Sequence, residues 1–334
     1  MKALYRTIVL LLIAMMLLSA CNKEESPEAY NAENVAIIPQ LSGAYAVAPA
    51  AKAGTRAVDH PGLQTIINLP EGTTLRLIAK KGSQAAITQD YVVRTPDGGS
   101  QSLYPCKINN TTGQIISESK DPMYLSEGVY TVNAVSPAHK YSNGQMVINN
   151  GESVLANNDH WIQTATTSLT ITKADKSKVI LLNPLMQLTA RMTFDLSGDK
   201  ETGVSSISVM QDGIEISRIR EGSVTLNNVG DSIPAIMCAN YNRIFIKESD
   251  IKKQENGSLR GEICLLPIDN RATPMMVILN LMINGVPTQF TFSIVNKVLY
   301  AGYSYNYKIT VRIKDNITVA NWQETSWSTT VSGE

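Results

Sequence analysis

The chain has 334 residues, with 29 basic and 29 acidic side chains, three histidines and four cysteines. Less a leader of about 20 residues, that length makes one large or two ordinary domains. Balanced charge leaves no net field to recruit nucleic acid or anionic lipid, and His60, His139 and His160 lack the spacing of a zinc site.

At the N-terminus, Lys2 and Arg6 precede an apolar run over residues 8–18, which ends in Leu18-Ser19-Ala20-Cys21. Charge, apolar run and small residues in that order make a secretory signal. The run is shorter than the roughly 20 apolar residues of a spanning helix, so residues 1–20 are expected to be removed. Leu-Ser-Ala-Cys resembles the lipobox of bacterial lipoproteins, which implies acylation of Cys21 and cleavage just before it. Several acyl chains hold firmly where a single one is marginal. Asn22-Lys23-Glu24-Glu25 is similar to the acidic tag that sends lipoproteins of the Bacteroides group to the outer face of the outer membrane. Residues 22–34 are polar and acidic and read as a flexible tether.

Residues 35–39 and 44–47 are short and strand-like, and the small, polar residues 50–59 are expected to form an exposed loop. Beyond them, period-two alternation bounded by turn residues predicts half-buried strands. It occurs at residues 74–79, 128–135 and 189–196, where Ala190, Met192, Phe194 and Leu196 oppose Thr189, Arg191, Thr193 and Asp195. It is clearest at residues 303–314, where Tyr303, Tyr305, Tyr307, Ile309, Val311 and Ile313 oppose Ser304, Asn306, Lys308, Thr310, Arg312 and Lys314. A helix would scatter that set around its circumference. Residues 275–283 and 288–295 flank Asn284-Gly285-Val286-Pro287, a hairpin signal. Strands recur without a long amphipathic helix or a fixed short repeat, so the expected fold is all-β, in two sandwiches divided near Asn183-Pro184.

Chemistry is sparse. No nucleophile elbow or phosphate-cradling glycine loop opens a helix, and no cysteine has a histidine beside it in sequence. The carboxylates read as solvated strand faces and turns, although spacing alone leaves a glycosidase pair open. Asp159-His160-Trp161 is read as a loop whose tryptophan caps the core, with sugar stacking as the alternative. Beyond Cys21, an odd set of Cys106, Cys238 and Cys264 remains. Cys238 and Cys264 are candidates to pair, but buried free thiols are the commoner state among apolar neighbours, and no disulfide is expected.

Three features together resemble the fimbrillins, the lipoprotein-precursor pilins of Bacteroides and Porphyromonas fimbriae. The first is the lipobox followed by Gly54-Thr55-Arg56-Ala57, similar to the Thr-Arg-Ala at which such pilins are matured by an arginine-specific protease. The second is the series Leu103-Tyr104-Pro105-Cys106, Pro122-Met123-Tyr124-Leu125 and Gly128-Val129-Tyr130 onward to Ser136-Pro137-Ala138. The third is Gly302-Tyr303-Ser304-Tyr305-Asn306-Tyr307 running to Ile317-Thr318-Val319-Ala320-Asn321-Trp322 and Ser326-Trp327.

The resemblance implies two transthyretin-like β-sandwich domains in tandem, at residues 57–184 and 185–334, after a lipidated tether and propeptide at 21–56. It implies a non-enzymatic stalk or tip subunit with no cofactor, serving adhesion and polymerised by donor-strand exchange. Cutting between Arg56 and Ala57 would free a strand within residues 35–47 and open a groove. The donor would be residues 315–334 of another molecule, with Ile317, Val319, Trp322 and Trp327 entering; the same residues would close their own sandwich in a monomer. Four to six such side chains at roughly 1.5–3 kcal/mol each give about 6–18 kcal/mol gross. Pro39 and Pro49 interrupt the ladder that the displaced strand can make. The implied partners are copies of itself, other fimbrial subunits, the protease, the outer membrane through the lipid, and a host or bacterial surface ligand. The alternatives are a monomeric surface glycan-binding lipoprotein and the membrane-retained anchor subunit of a fimbria.

Overall fold

The computed structural model describes residues 34–45, 48–49, 66–97, 99–153, 163–164, 166–220, 222–237, 242–295, 297–315 and 317–325. Among them the only helical pieces are three single 3-10 turns, at Ala138–Lys140, Lys200–Thr202 and Glu248–Asp250. The chain is all-β, as the alternation predicts.

The first core lies between a ten-stranded and a three-stranded sheet. Thr74–Lys80, Ile87–Arg94 and Ser102–Ile108 run antiparallel in succession, and Gly128–Val135 pairs with the other side of Thr74–Lys80. One face of each turns Leu75, Leu77, Tyr91, Val132 and Ala134 inward, all at most 1% exposed, because successive side chains in a strand alternate sides. The smaller sheet answers with Ile37, Leu125 and Leu182, also at most 1% exposed.

In the second core a seven-stranded sheet packs on a four-stranded one. Ala190–Gly198 lies parallel to Tyr303–Lys314 over eight register pairs, a pairing that needs a long connection between its partners. Across from it run Asn242–Ile246, Ile207–Ile219, Met275–Ile283 and Val286–Ile294. Phe194 stacks on Tyr307 with ring centroids 5.6 Å apart, within the range of favourable aromatic pairs.

A third cluster joins these two. Ile78 and Val135, on the reverse face of the ten-stranded sheet, pack with Tyr141, Met146, Ile148, Leu188, Leu226 and Leu266. Gln145–Asn149 pairs with Ser223–Leu226, and Glu152–Ser153 pairs with Ile263 and Cys264. Residues 146–149 and 152–153 therefore pair with strands from the second half of the chain. Beside this cluster Arg76 makes a bidentate pair with Asp90, and donates to the Tyr141 carbonyl and to Asn110 Oδ1, each at 2.6 Å.

Two expectations need correction. Thr189, Thr193, Ser304 and Asn306, expected on a solvated face, are at most 3% exposed, so this part of the larger sheet is covered on both sides. The hairpin turn is Asn284-Gly285 alone, with φ of 49° and 80°. Two positive φ values complete a two-residue turn, so Val286 and Pro287 begin the next strand. Proline is tolerated there because that strand is an edge.

Candidate functional site

The described strands within residues 35–49 join the sheets of both cores. Val35–Leu41 is the middle strand of the three-stranded sheet, parallel to Ser177–Leu182 over six pairs and antiparallel to Met123–Leu125 over three. Its alternation buries Val35, Ile37 and Pro39 and half-buries Leu41. At roughly 1.5–3 kcal/mol per buried apolar side chain, the three contribute about 5–9 kcal/mol gross. Pro39 lies beyond Ile37, where the register with Met123–Leu125 stops; its missing N–H therefore weakens a stretch with one neighbour rather than two.

At Gly43 the chain turns from the smaller sheet to the larger. Its φ is 96°, and a Cβ there would collide with the Ile67 carbonyl, so the corner requires glycine. The Leu185 N–H donates to the Gly43 carbonyl at 3.0 Å. Ala44–Tyr45 then pairs with Leu185 and with Ile66–Ile67, and Ala48–Pro49 pairs parallel with Tyr303–Ser304.

The C-terminal strand Ile317–Thr325 folds back antiparallel on Tyr303–Lys314 over nine pairs, from Lys314 opposite Ile317 to Asn306 opposite Thr325. Ala190–Gly198 occupies the other side of Tyr303–Lys314, so Ala48–Pro49 and Ile317–Thr325 share one side of it. Of the residues expected to act as donors, Ile317 lies opposite Lys314, Val319 opposite Arg312, and Trp322 opposite Ile309. Directly opposed residues of an antiparallel pair share a face. Half-buried Val319 is therefore on the outer face with exposed Arg312, away from the core that Ile309 enters.

Trp327, Cys21, Arg56, Ala57, Cys238 and Asp159-His160-Trp161 lie outside the described residues. Cys106 is a buried free thiol, and Cys264 is buried. Burial, helped by the Asp90 and Glu118 carboxylates, pushes the Cys106 thiol up to about 12. That position gives no reactive thiolate. Among the described residues no three His, Cys, Asp or Glu side chains cluster as metal ligands. A small cleft of about 240 Å³ lies beside Thr112, Gln114, Pro137 and His139. The pairing of Ala48–Pro49 with Tyr303–Ser304 leaves no mark in the sequence, because two residues carry no readable period.

Residues 34–331 match the fimbrillin-like family, and the chain belongs to it. Among solved structures, a candidate cell adhesion protein of Bacteroides fragilis NCTC 9343 is 30% identical with a TM-score of 0.73, covering 89% of this chain and 99% of its own. A fimbrial assembly protein of Parabacteroides distasonis ATCC 8503 is 11% identical (TM-score 0.39; 75% and 87% covered). A candidate adhesin of Bacteroides ovatus is 10% identical (TM-score 0.39; 87% and 94% covered). No protein of curated function matches the sequence at a significant level. The family is structural rather than catalytic.

Proposed function

We propose that this chain is a stalk or tip subunit of a bacterial surface fimbria serving adhesion. It is exported as a lipoprotein precursor held to the outer membrane through Cys21. An arginine-specific protease cuts after Arg56, and the matured subunit polymerises by strand exchange with copies of itself and other fimbrial subunits. The observation that carries the reading is the place of Val35–Leu41, which lies upstream of Arg56 yet forms the middle of a sheet, with Ile37 fully buried. Losing it would leave two strands with unpaired backbone edges over an apolar groove, and such an edge recruits a strand from another molecule.

In this reading residues 57–184 carry the accepting domain and residues 185–334 the donating one, with residues 146–153 reaching across to pair with strands of the donating part. The donor is the C-terminal segment of residues 315–334, with Trp322 and Trp327 as anchors. A second reading, a monomeric surface lipoprotein that binds glycans or anchors a fimbria, is favoured by the nine pairs that Ile317–Thr325 makes within its own chain.

The test is the N-terminal residue of the protein from sheared filaments and from membranes of the native cell. Ala57 in filaments, with Cys21 confined to the precursor pool, supports the polymer. Lipidated Cys21 as the sole terminus, found only in membranes, sinks it and leaves the second reading.

A further inference from the structure

Among the described residues, the strand Val286–Ile294 is a nine-residue edge of the four-stranded sheet, paired only with Met275–Ile283. Between Arg271 and Lys297 no residue is charged, although at the chain average of 17% a stretch of 25 residues would carry about four charges. The other described edge strands longer than five residues, Ser177–Leu182 and Ile317–Thr325, carry Lys178 and Glu324. Charge is the usual guard against edge-to-edge pairing, and here it is missing.

The packing is also unfinished at this edge. One strand inward, Val277 and Leu279 are fully buried, whereas Phe292 and Phe290, opposite them, are only half-buried. Val286 at one end and Val295 just beyond the other are exposed at 60% and 49%. A neighbouring strand would supply the cover that these side chains lack.

We infer that Val286–Ile294 is a docking edge for the same strand of a second copy, the two running antiparallel about a two-fold axis through Thr291. The uncharged edge lets identical strands meet without like charges facing each other. This register sets Phe290 of one copy against Phe292 of the other, twice, on the core side. Thr288 falls against Ile294, and Gln289 against Ser293 on the outer side. It also leaves Pro287 outside the ladder, where its missing N–H costs nothing. The result is a closed, isologous contact that joins two four-stranded sheets.

Two variants of the full chain, held in mild detergent, test the contact and its register by size-exclusion chromatography with light scattering. Gln289→Lys with Ser293→Lys sets lysine against lysine in both symmetric pairs. Gln289→Lys with Ser293→Glu sets lysine against glutamate. Both positions are exposed on the outer face, and both variants lose the same exposed Gln289–Asn280 hydrogen bond. The expected result is a reversible dimer of the parent chain, weakened about tenfold or more in the double-lysine variant and restored in the lysine–glutamate variant. A parent chain that stays monomeric overturns the inference. So does a double-lysine variant that dimerises like the parent, or a lysine–glutamate variant that stays as weak as the double-lysine one. The N-terminal strand is intact in all three chains, so the outcome does not depend on processing or strand exchange.

Discussion

Ser304 and Asn306, two residues apart on one strand, are where the two ends of the chain meet: Ser304 pairs with Pro49 and Asn306 with Thr325. On that side of Tyr303–Lys314 the two segments are separated by Tyr305 alone. Ser304 has one free side, and Pro49 holds it. Replacing Ala48 by proline removes the remaining backbone donor of this two-residue ladder. The expected outcome is slower amide hydrogen exchange at Thr325, the last paired residue of the C-terminal strand, in the variant than in the parent. Equal exchange at Thr325 in the two chains would show that the two segments do not compete.

Ile37 should be the residue of the N-terminal strand most costly to truncate. It is fully buried between the two sheets of the first core, in register with Met123 and Lys178. Ile37→Ala removes buried methylene groups and leaves a cavity, a loss of about 2–5 kcal/mol. Ile38, one residue on and 46% exposed, should tolerate the same change within about 0.5 kcal/mol. Urea unfolding of the two variants checks the contrast, and equal midpoints would mean that the strand is not seated as described.

Within the second core, Gly213 sits where the register between Ile207–Ile219 and Met275–Ile283 shifts. Its φ is 59°, and a Cβ there would overlap the Ile246 carbonyl. Gly213→Ala therefore combines backbone strain with displacement of Asn242–Ile246, and is expected to cost about 3 kcal/mol or more. Gly257, also at positive φ but with open space around it, should cost only about 1 kcal/mol on the same change. Thermal unfolding of both variants tests the ranking.

The strand at 303–314 was legible to its end residues, because twelve residues of strict alternation admit no other period. The Asn-Gly turn was equally plain, and only the length of the loop was overdrawn. What the sequence did not disclose was partnership. Alternation says which side of a strand is apolar but not which distant strand lies beside it, so the parallel pairing of Ala190–Gly198 with Tyr303–Lys314 left no mark. Nor did it disclose the cover over Thr193 and Asn306, whose polar side chains look solvated when the strand is read alone. The candidate site was half legible for the same reason. Val35–Leu41 announced itself by its apolar residues, whereas Ala48–Pro49 matters through its register on another strand.

Stability should fall on the alkaline side of neutrality, and the first core should be the source. Burial raises the Tyr91 phenol to about 12, against a smaller opposing effect from the Met123 N–H that donates to its oxygen at 3.0 Å. The neighbouring Cys106 thiol is likewise pushed up to about 12. In the unfolded chain these groups lose their protons near about 10 and 8.5. Between those values and 12 the folded chain holds protons that the unfolded chain has released, so rising pH favours unfolding. The stabilisation is complete below about pH 8.5 and is lost as the pH climbs toward 12. Urea midpoints from pH 7 to 11 should decline, and the decline should be shallower in Cys106→Ala. Tyr91→Phe also removes an ionisable group, but it leaves the Met123 N–H unpaired beside Ile37, so it should lower the midpoint at pH 7 by about 1–3 kcal/mol equivalent. A pH-independent midpoint in the parent chain would mean that these two groups ionise alike in the folded and unfolded states.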